Sequence, residues 1–226
     1  MKKSEIKTII FDVGGVLALP NLPMSLIQDT HLGGVPAHCG HRNKGVHEYI
    51  ADKLKIFLDQ WFDSIDTIYA KSIEGRITKE QLLETLSSNL NISKKKIQNL
   101  VVKAYKLNFK QNKQLFKQAF KLKKQGYKMG VLSDQWHLSQ EALMPNRLYK
   151  KFNAVVVSTD VGIRKPNPKI YKLVLKKLNS KPPETLFIDN QQWNITPAKK
   201  IGMKTILFKN NEQLFENKTW KSLFKK

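Results

Sequence analysis

Short apolar runs alternate with amphipathic stretches along much of the chain, and this pattern predicts strands separated by helices. The first run, residues 9–11, ends at Asp12, and Gly14 and Gly15 follow after one residue. Buried strands are typically short apolar runs with β-branched residues, bounded by turn signals. Further runs of this kind predict strands at 127–132, 154–157, 185–188 and 204–208. Helices are predicted between these strands at 115–125, 168–178 and 193–201.

The segment that follows the first strand has a different pattern, without strand-like alternation. Helical spacing of apolar residues predicts helices at 47–65, 78–90 and 93–107. The second of these begins with the sequence pattern of a capping box, in which the Thr78 hydroxyl and the Gln81 side chain satisfy exposed N–H groups. We therefore expect a small all-helical unit here.

Strands that alternate with helices favour right-handed βαβ units and a parallel sheet. The expected fold class is therefore α/β, with a doubly wound, Rossmann-like parallel sheet. Because the first strand has to join this sheet across the helical unit, that unit is expected to be an insertion. We predict an α/β core of residues 1–18 and 108–226 and an inserted all-helical domain of residues 19–107.

The composition is typical of a folded globular protein. Of the 226 residues, 41% are hydrophobic, which is enough for one sizeable core with an inserted domain. Cys39 is the only cysteine, which excludes an intramolecular disulfide and is typical of a reducing compartment. No secretory pattern and no apolar run of membrane-spanning length is present. We expect a soluble, cytoplasmic protein with no membrane partner.

The formal net charge of +22 would normally suggest nucleic-acid binding. However, only four of the 40 basic residues are arginines, whose bidentate fork suits specific recognition of phosphates and bases. The lysines are spread along helical stretches, and no recognition motif accompanies them. We therefore predict a general attraction to anionic substrates and no specific nucleic-acid partner.

Polar residues follow the ends of the predicted strands. They are Asp12 after the first strand, Ser133 after the second, Lys165 in the segment after the third, and Asp189 after the fourth. Each residue alone has a structural explanation, such as a turn former, a cap or a solvated surface charge. The carboxyl ends of parallel strands meet at one edge of a sheet, where ligands bind. We expect these side chains to gather there.

In these residues the chain resembles the haloacid dehalogenase superfamily, specifically its phosphatase branch with a helical cap inserted after the first motif. Asp12, in Asp-Val-Gly-Gly-Val-Leu, matches the nucleophile, and Ser133 matches the second motif. Lys165 matches the third motif within Lys-Pro-Asn-Pro-Lys-Ile-Tyr, and Asp189 matches the acidic fourth motif. The motifs occur in the family's order, and the resemblance covers nearly the whole chain, including the helical insertion.

The resemblance implies a hydrolase whose partner is a small phosphorylated molecule. Asp12 would attack phosphorus and form an aspartyl-phosphate intermediate. Ser133 would donate a hydrogen bond to the phosphoryl group, and Lys165 would pair with the phosphate and the nucleophile. These three residues are the implied catalytic residues. The implied phosphate-binding set is Gly15, Ser133, Asp134 and Lys165.

The resemblance also implies a Mg²⁺ cofactor, which lets an anionic nucleophile approach an anionic substrate. Carboxylate and carbonyl oxygens are the ligands that this cation prefers. The implied metal ligands are Asp12, the Gly14 carbonyl, Asp189 and Asn190.

Three positions depart from the family's pattern. Many relatives have a second aspartate, the acid and base for the leaving group, where this chain has Gly14, although one branch reads Asp-x-Gly. The fourth motif usually continues with aspartate, here Asn190, and the second with asparagine, here Asp134. These two changes are opposite in charge. One hypothesis is that Asp134 compensates for Asn190 near the metal, and the other is independent drift under relaxed catalytic demands.

The missing acid leaves the proton source open between a water and a histidine of the helical segment. The candidate histidines are His31, His38, His41 and His47. Together with Cys39 they also form a candidate metal cluster, although their spacing fits no standard zinc pattern. A surface loop is the third interpretation of this stretch.

Two other functions remain open at this point. Asn190 and Asp134 suggest a degenerate family member that binds a ligand or partner without turnover. A metal-independent 2-haloacid dehalogenase would use the same Asp12 against carbon, and Trp193-Asn194 faintly resembles that group. The first motif of those dehalogenases, however, is not similar to residues 14–16 of this chain. No pattern in the sequence indicates an oligomeric state.

Overall fold

Five parallel strands form one sheet in the described part of the chain. The structure, a computed structural model, describes residues 5–21 and 45–225. The strands in chain order are β1 (Thr8–Phe11), β2 (Ala18–Pro20), β3 (Phe109–Gln111), β4 (Lys128–Ser133), β5 (Ala154–Val157), β6 (Thr185–Asp189) and β7 (Lys204–Leu207). The sheet order is β5-β4-β1-β6-β7, and every neighbouring pair is parallel. β2 and β3 form a separate antiparallel pair.

Helices follow the strands of the sheet along the chain. They are α1 (Val46–Leu54), α2 (Leu58–Ile73), α3 (Lys79–Leu90), α4 (Lys94–Asn108), α5 (Lys113–Lys124), α6 (Gln140–Leu143), α7 (Asn146–Tyr149), α8 (Ser158–Val161), α9 (Pro168–Lys177), α10 (Gln192–Lys200), α11 (Asn211–Glu216) and α12 (Lys218–Ser222). Within the described ranges, no helix is both long enough and apolar enough to cross a membrane.

The side chains of β1 explain why helices pack on both faces of the sheet. Ile10 belongs to a buried cluster with residues of α9 and α10. Ile9 and Phe11 belong to a second cluster with residues of α5 and α12, in which Phe11 meets the ring of Trp220 edge-on at 6.4 Å. Successive side chains of a strand point to opposite faces, so an uninterrupted apolar run supplies apolar groups to both layers. The predicted α/β fold with a doubly wound parallel sheet is confirmed.

The single helix predicted at 47–65 is wrong, because the structure contains two helices there. α1 ends at Leu54, and the next residue, Lys55, has a left-handed backbone (φ 59°, ψ 40°) and donates its N–H to the carbonyls of Ala51 and Asp52. α2 begins after Phe57, whose N–H donates to the Gln60 side chain at 2.9 Å. The apolar spacing continues through this tight turn, so periodicity alone does not reveal the break.

The antiparallel pair of β2 and β3 was not predicted. Ala18 pairs with Gln111 and Pro20 with Phe109. This strand pair therefore joins the chain segment that precedes α1 to the segment that follows α4. Strands of three residues are too short to show an alternating pattern. The domain boundaries at 18 and 108 stay a prediction.

The two predicted helix starts differ in how their caps are made. Thr78 and Gln81 form the predicted capping box: the Gln81 N–H donates to the Thr78 hydroxyl at 3.1 Å, and the Thr78 N–H donates to the Gln81 side chain at 2.8 Å. Ser93 occupies the N-cap position of α4, but its side chain makes no capping hydrogen bond.

Candidate active site

The candidate site lies at the carboxyl edge of the central strands. Asp12 directly follows β1, while Ser133 ends β4 and Asp189 ends β6. β1 pairs with both neighbours, and Phe11 is in register with Val131 on β4 and Ile188 on β6. The Asp12 N–H continues this ladder by donating to the Ile188 carbonyl at 2.9 Å. The sheet register therefore brings the ends of three strands together, as the sequence predicts.

Lys165 joins the two acidic strand ends. Its Nζ lies 3.0 Å from Asp12 Oδ1 and 2.7 Å from Asp189 Oδ2. All three residues are buried, and Asp189 is fully inaccessible. Unpaired charges are very costly in such surroundings, so the ammonium and both carboxylates depend on one another.

Burial and the neighbouring charges act against each other in this cluster. Burial raises the pKa of Asp12 to about 7; Lys165 opposes this rise and Asp189 adds to it. Burial alone would lower the pKa of Lys165, but the surrounding carboxylates, first of all Asp12, outweigh it and raise that pKa above its usual value. Lys165 is therefore the fixed positive charge of the site.

Asp189 is saturated with hydrogen bonds inside the protein. Its Oδ1 accepts from the Gln191 N–H at 2.7 Å and from Asn194 Nδ2 at 3.2 Å. Its Oδ2 accepts from Lys165 and, at 3.1 Å, from Asn194 Nδ2. Asp189 thus orients Lys165, and both carboxylate oxygens of Asp189 already accept hydrogen bonds within the protein. The sequence reasoning did not assign Asn194 to the site, although its position at the start of a predicted helix after a strand-end acid was a signal.

Asn190 faces the turn after Asp12. Gly15 has a φ of +78°, and a Cβ there would stand 2.4 Å from Asn190 Nδ2. Glycine is thus required by the backbone conformation and by the close approach of this amide. Asn190 Oδ1 is buried and has no hydrogen-bond partner in the described part of the chain. At Gly14, no described atom lies within 4 Å of an added Cβ.

The two residues after Ser133 hold other parts of the site. Asp134 Oδ1 accepts from the backbone N–H of Lys165 at 3.0 Å. Burial raises the pKa of Asp134, and Lys165 opposes this effect. The Ser133 hydroxyl accepts from Gln135 Nε2 at 3.1 Å. Asp134 therefore supports the lysine, and Gln135, which the sequence reasoning missed, contacts the serine.

The donors present fit a hard divalent cation by their chemistry. Asp12 offers a carboxylate, Gly14 a backbone carbonyl, and Asn190 a buried amide oxygen without a partner among the described residues. All are oxygens, which Mg²⁺ prefers. Over residues 5–21 and 45–225, no group of three or more His, Cys, Asp or Glu side chains is arranged to hold a metal. Such a site would therefore depend on the carbonyl and the amide.

Only one of the candidate histidines falls in the described residues. His47 is buried, and its Nδ1 accepts from Trp61 Nε1 at 2.8 Å. Burial lowers the pKa of His47 to about 4, so the ring is neutral near pH 7. It is a packed residue of the helical segment. His31, His38, Cys39 and His41 lie outside the described residues.

Three comparisons with known proteins bear on this site. Residues 50–208 match the family model described as haloacid dehalogenase-like hydrolase. Bifunctional epoxide hydrolase 2 of Mus musculus is 29% identical over 219 residues, which cover 91% of this chain and 37% of that protein. The chain thus spans little more than a third of this relative. Glyceraldehyde 3-phosphate phosphatase of Pyrococcus furiosus is 38% identical over 86 residues, 37% of this chain and 36% of that protein.

A solved structure shares the fold across almost the whole chain. It is a HAD family enzyme of Bacteroides thetaiotaomicron, in complex with magnesium and inorganic phosphate. The TM-score is 0.66 at 20% sequence identity, over 97% of this chain and 99% of that chain. At this level of identity, the likeness shows that the two chains share a fold.

Proposed function

The chain belongs to the haloacid dehalogenase-like hydrolases, and on this premise we propose that it is a magnesium-dependent phosphatase of small phosphorylated metabolites. The observation that carries the proposal is the buried Lys165 ammonium, shared by Asp12 and Asp189 at the carboxyl edge of the sheet. A fixed cation beside a carboxylate at the edge of the sheet is what an anionic substrate needs to approach an anionic nucleophile.

Asp12 is proposed as the nucleophile. One of its carboxylate oxygens forms a bond to phosphorus while the ester oxygen leaves, and the leaving oxygen takes a proton from water. Water then attacks the aspartyl phosphate, which releases inorganic phosphate and regenerates the Asp12 carboxylate. Lys165 offsets the negative charge gathered around phosphorus, and Ser133 is proposed to hold a phosphoryl oxygen. The phosphate contact expected of Gly15 is not assigned to its N–H, which already donates to the Ala18 carbonyl at 2.8 Å.

Asp134 is assigned a different role from the phosphate contact expected from the sequence. An ionised carboxylate only accepts hydrogen bonds and cannot donate to phosphate oxygens. Since its Oδ1 already accepts the Lys165 N–H, we assign Asp134 to holding the lysine backbone. This contact also replaces the hypothesis that Asp134 compensates for Asn190 at the metal.

Asp12, the Gly14 carbonyl and Asn190 are the residues proposed to hold Mg²⁺. Asp189 is left out because its four hydrogen bonds occupy both oxygens. When bound, the cation would neutralise negative charge near the nucleophile. The structural neighbour crystallised with magnesium and inorganic phosphate supports Mg²⁺ as the cation.

The deciding experiment is a Mg²⁺-supplemented screen of phosphorylated metabolites with the wild type and Asp12→Asn. We expect phosphate release from the wild type, and a loss of at least about a thousandfold in the variant, because the nucleophile is removed. Asp160→Asn, at an exposed aspartate, is the matched control and should retain wild-type turnover. Equal phosphate release by wild type and Asp12→Asn would contradict the proposal.

A binding protein without turnover is the second candidate, because Asn190 stands at a position that is acidic in the resembling family. Beryllium fluoride binding at Asp12 with no hydrolysis of any phosphoester would favour it. Metal-independent chloride release from a 2-haloacid would favour the dehalogenase instead.

A further inference from the structure

Gln135 has no part in the reaction proposed above, yet its side chain is buried next to the site. It is 2% exposed. Its Nε2 donates to the Ser133 hydroxyl at 3.1 Å and to the Tyr149 hydroxyl at 3.2 Å. Burying an amide is unfavourable unless its hydrogen bonds are made. Here Nε2 makes two, while the buried Oε1 has no partner among the described residues.

The backbone of Gln135 is fixed by the neighbouring strand. Its N–H donates to the Ser158 hydroxyl at 3.1 Å, and Ser158, which directly follows β5, is fully buried. The Ser158 hydroxyl also faces the Gln135 carbonyl at 3.4 Å. The backbone of Gln135 is therefore held between the ends of β4 and β5.

The contact determines where the Ser133 proton can go. A serine hydroxyl has one proton to donate and two positions at which it accepts. Because Gln135 Nε2 donates to one accepting position of the Ser133 hydroxyl, Ser133 does not donate its own proton to Gln135. Ser133 ends the strand beside β1, so this proton is available at the edge where Asp12 lies.

We propose that Gln135 is a positioning residue that keeps Ser133 a hydrogen-bond donor toward the phosphoryl group at Asp12. The inference rests on the proposed function. It adds a second layer to the site: Asp134 holds the backbone of Lys165, and Gln135 sets the hydroxyl of Ser133.

The test compares two variants of similar size, with Mg²⁺-supplemented hydrolysis of para-nitrophenyl phosphate as the assay. Gln135→Met removes the donor and is expected to lower kcat by about 10- to 100-fold, with KM changed less than about threefold, since one positioned donor to the transition state is lost. Gln135→Glu is expected to lower kcat further, because its carboxylate accepts the Ser133 proton. Tyr149→Phe is the matched control: it removes the other partner of Gln135, and its kcat should stay within about threefold of wild type.

A double-mutant cycle separates positioning from general damage to the fold. In the Ser133→Ala background, Gln135→Met is expected to change kcat by less than about twofold, because Gln135 acts through the missing hydroxyl. Equal losses in both backgrounds would overturn the proposal. Wild-type activity of Gln135→Glu would also overturn it, because the amide oxygen would then be the group that faces Ser133.

Orthovanadate binding, measured by calorimetry, reports the same contact without turnover. We expect about tenfold weaker binding in Gln135→Met and unchanged binding in Tyr149→Phe. If the wild type hydrolyses no phosphoester but vanadate follows this pattern, the phosphatase fails and the positioning role stands. If Asp12→Asn abolishes turnover while the Gln135 variants alter neither kcat nor vanadate affinity, the positioning role fails and the phosphatase stands.

Discussion

At the scale of single residues, the site is organised around one buried cation. Lys165 neutralises Asp12 and Asp189, which would otherwise repel each other across adjacent strands. Removing one partner of a buried ion pair is strongly destabilising, because it leaves a charge without compensation. The same residue therefore supports both the proposed chemistry and the stability of the fold.

Lys165→Met keeps the length of the side chain and removes its charge. We expect the free energy of unfolding to fall by about 3–5 kcal/mol, because two buried carboxylates lose their partner. Urea unfolding at pH 7 measures this. Lys169→Met, at an exposed position nearby, is the control and should stay within about 0.5 kcal/mol of wild type. Similar stability of both variants would show that the carboxylates do not depend on the ammonium.

The two glycines after Asp12 are expected to respond differently to alanine. Gly15→Ala should destabilise the protein by about 1–3 kcal/mol, because its φ of +78° disfavours a side chain and the new Cβ would meet Asn190. Gly14→Ala should change stability by less than about 1 kcal/mol, since no described atom lies within 4 Å of the added Cβ. Thermal unfolding of both variants checks this, and an equal loss at the two positions would contradict it.

His47 is expected to make the fold sensitive to mild acid. Its pKa is about 4 in the folded protein and 6.5 as the ordinary value, so only the unfolded chain takes up the proton as pH falls below 6.5. Its stabilising contribution is therefore present above pH 6.5 and lost toward pH 4. Between pH 7 and 5 we expect it to remove about 2 kcal/mol from the free energy of unfolding.

His47→Gln keeps an acceptor for Trp61 and removes the titration, so it is the matched variant for this effect. Urea unfolding at pH 7 and 5 should show a smaller loss in the variant, by about 2 kcal/mol. The same loss in both proteins would mean that other groups cause the acid sensitivity.

The residues that the sequence could predict are those at strand ends. Asp12, Lys165 and Asp189 come together because strand order and register alone bring their positions to one edge. Gln135 and Asn194 were not predicted, because their contacts depend on side-chain directions in the turns that follow the strands. The position of Asn194 after a strand-end acid indicates a candidate but does not show which group it contacts. The hydrogen bonds that occupy both oxygens of Asp189 could not be predicted from the sequence for the same reason.

At the scale of elements, prediction succeeded where packing imposes one clear period. β5 was predicted with its observed bounds, and β4, β6 and β7 within one residue. It failed at the break after α1, where apolar spacing runs on through a left-handed turn. It also failed at β2 and β3, whose pairing is set by the chain's exit from the sheet and return to it.

Lys55 at this break is expected to be less favourable than glycine. A non-glycine residue in the left-handed region costs roughly 1–2 kcal/mol, so Lys55→Gly should raise the free energy of unfolding by about 0.5–1 kcal/mol after the added chain entropy is counted. Lys53→Gly, inside the last turn of α1, should lower it by about 1 kcal/mol. Chemical unfolding of both variants tests the contrast, and a loss in both would contradict the left-handed turn.

At the scale of the whole molecule, the net charge of +22 opposes compaction. The exposed ion pairs, such as that of Lys7 with Glu184, contribute little against it. Raising NaCl from 20 to 300 mM should therefore raise the melting temperature. Most of the gain should lie below about 0.3 M, because at that ionic strength surface charges interact only over short distances. A scanning calorimeter measures this, and a fall over that range would show that ion pairs outweigh the repulsion.

The central position of β1 has a consequence for the making of the protein. Thr8 pairs with Lys128 and Thr185, so the first strand of the described chain has to wait for partners that come at least 120 residues later. At a synthesis rate of about 5–20 residues per second, that interval is on the order of 6–24 s. Until then a short, largely apolar strand with two open edges emerges from the ribosome, and such edges pair readily with other chains. The speed of translation through the helical segment, and the chaperones available during it, should therefore influence how much of the chain reaches the folded state.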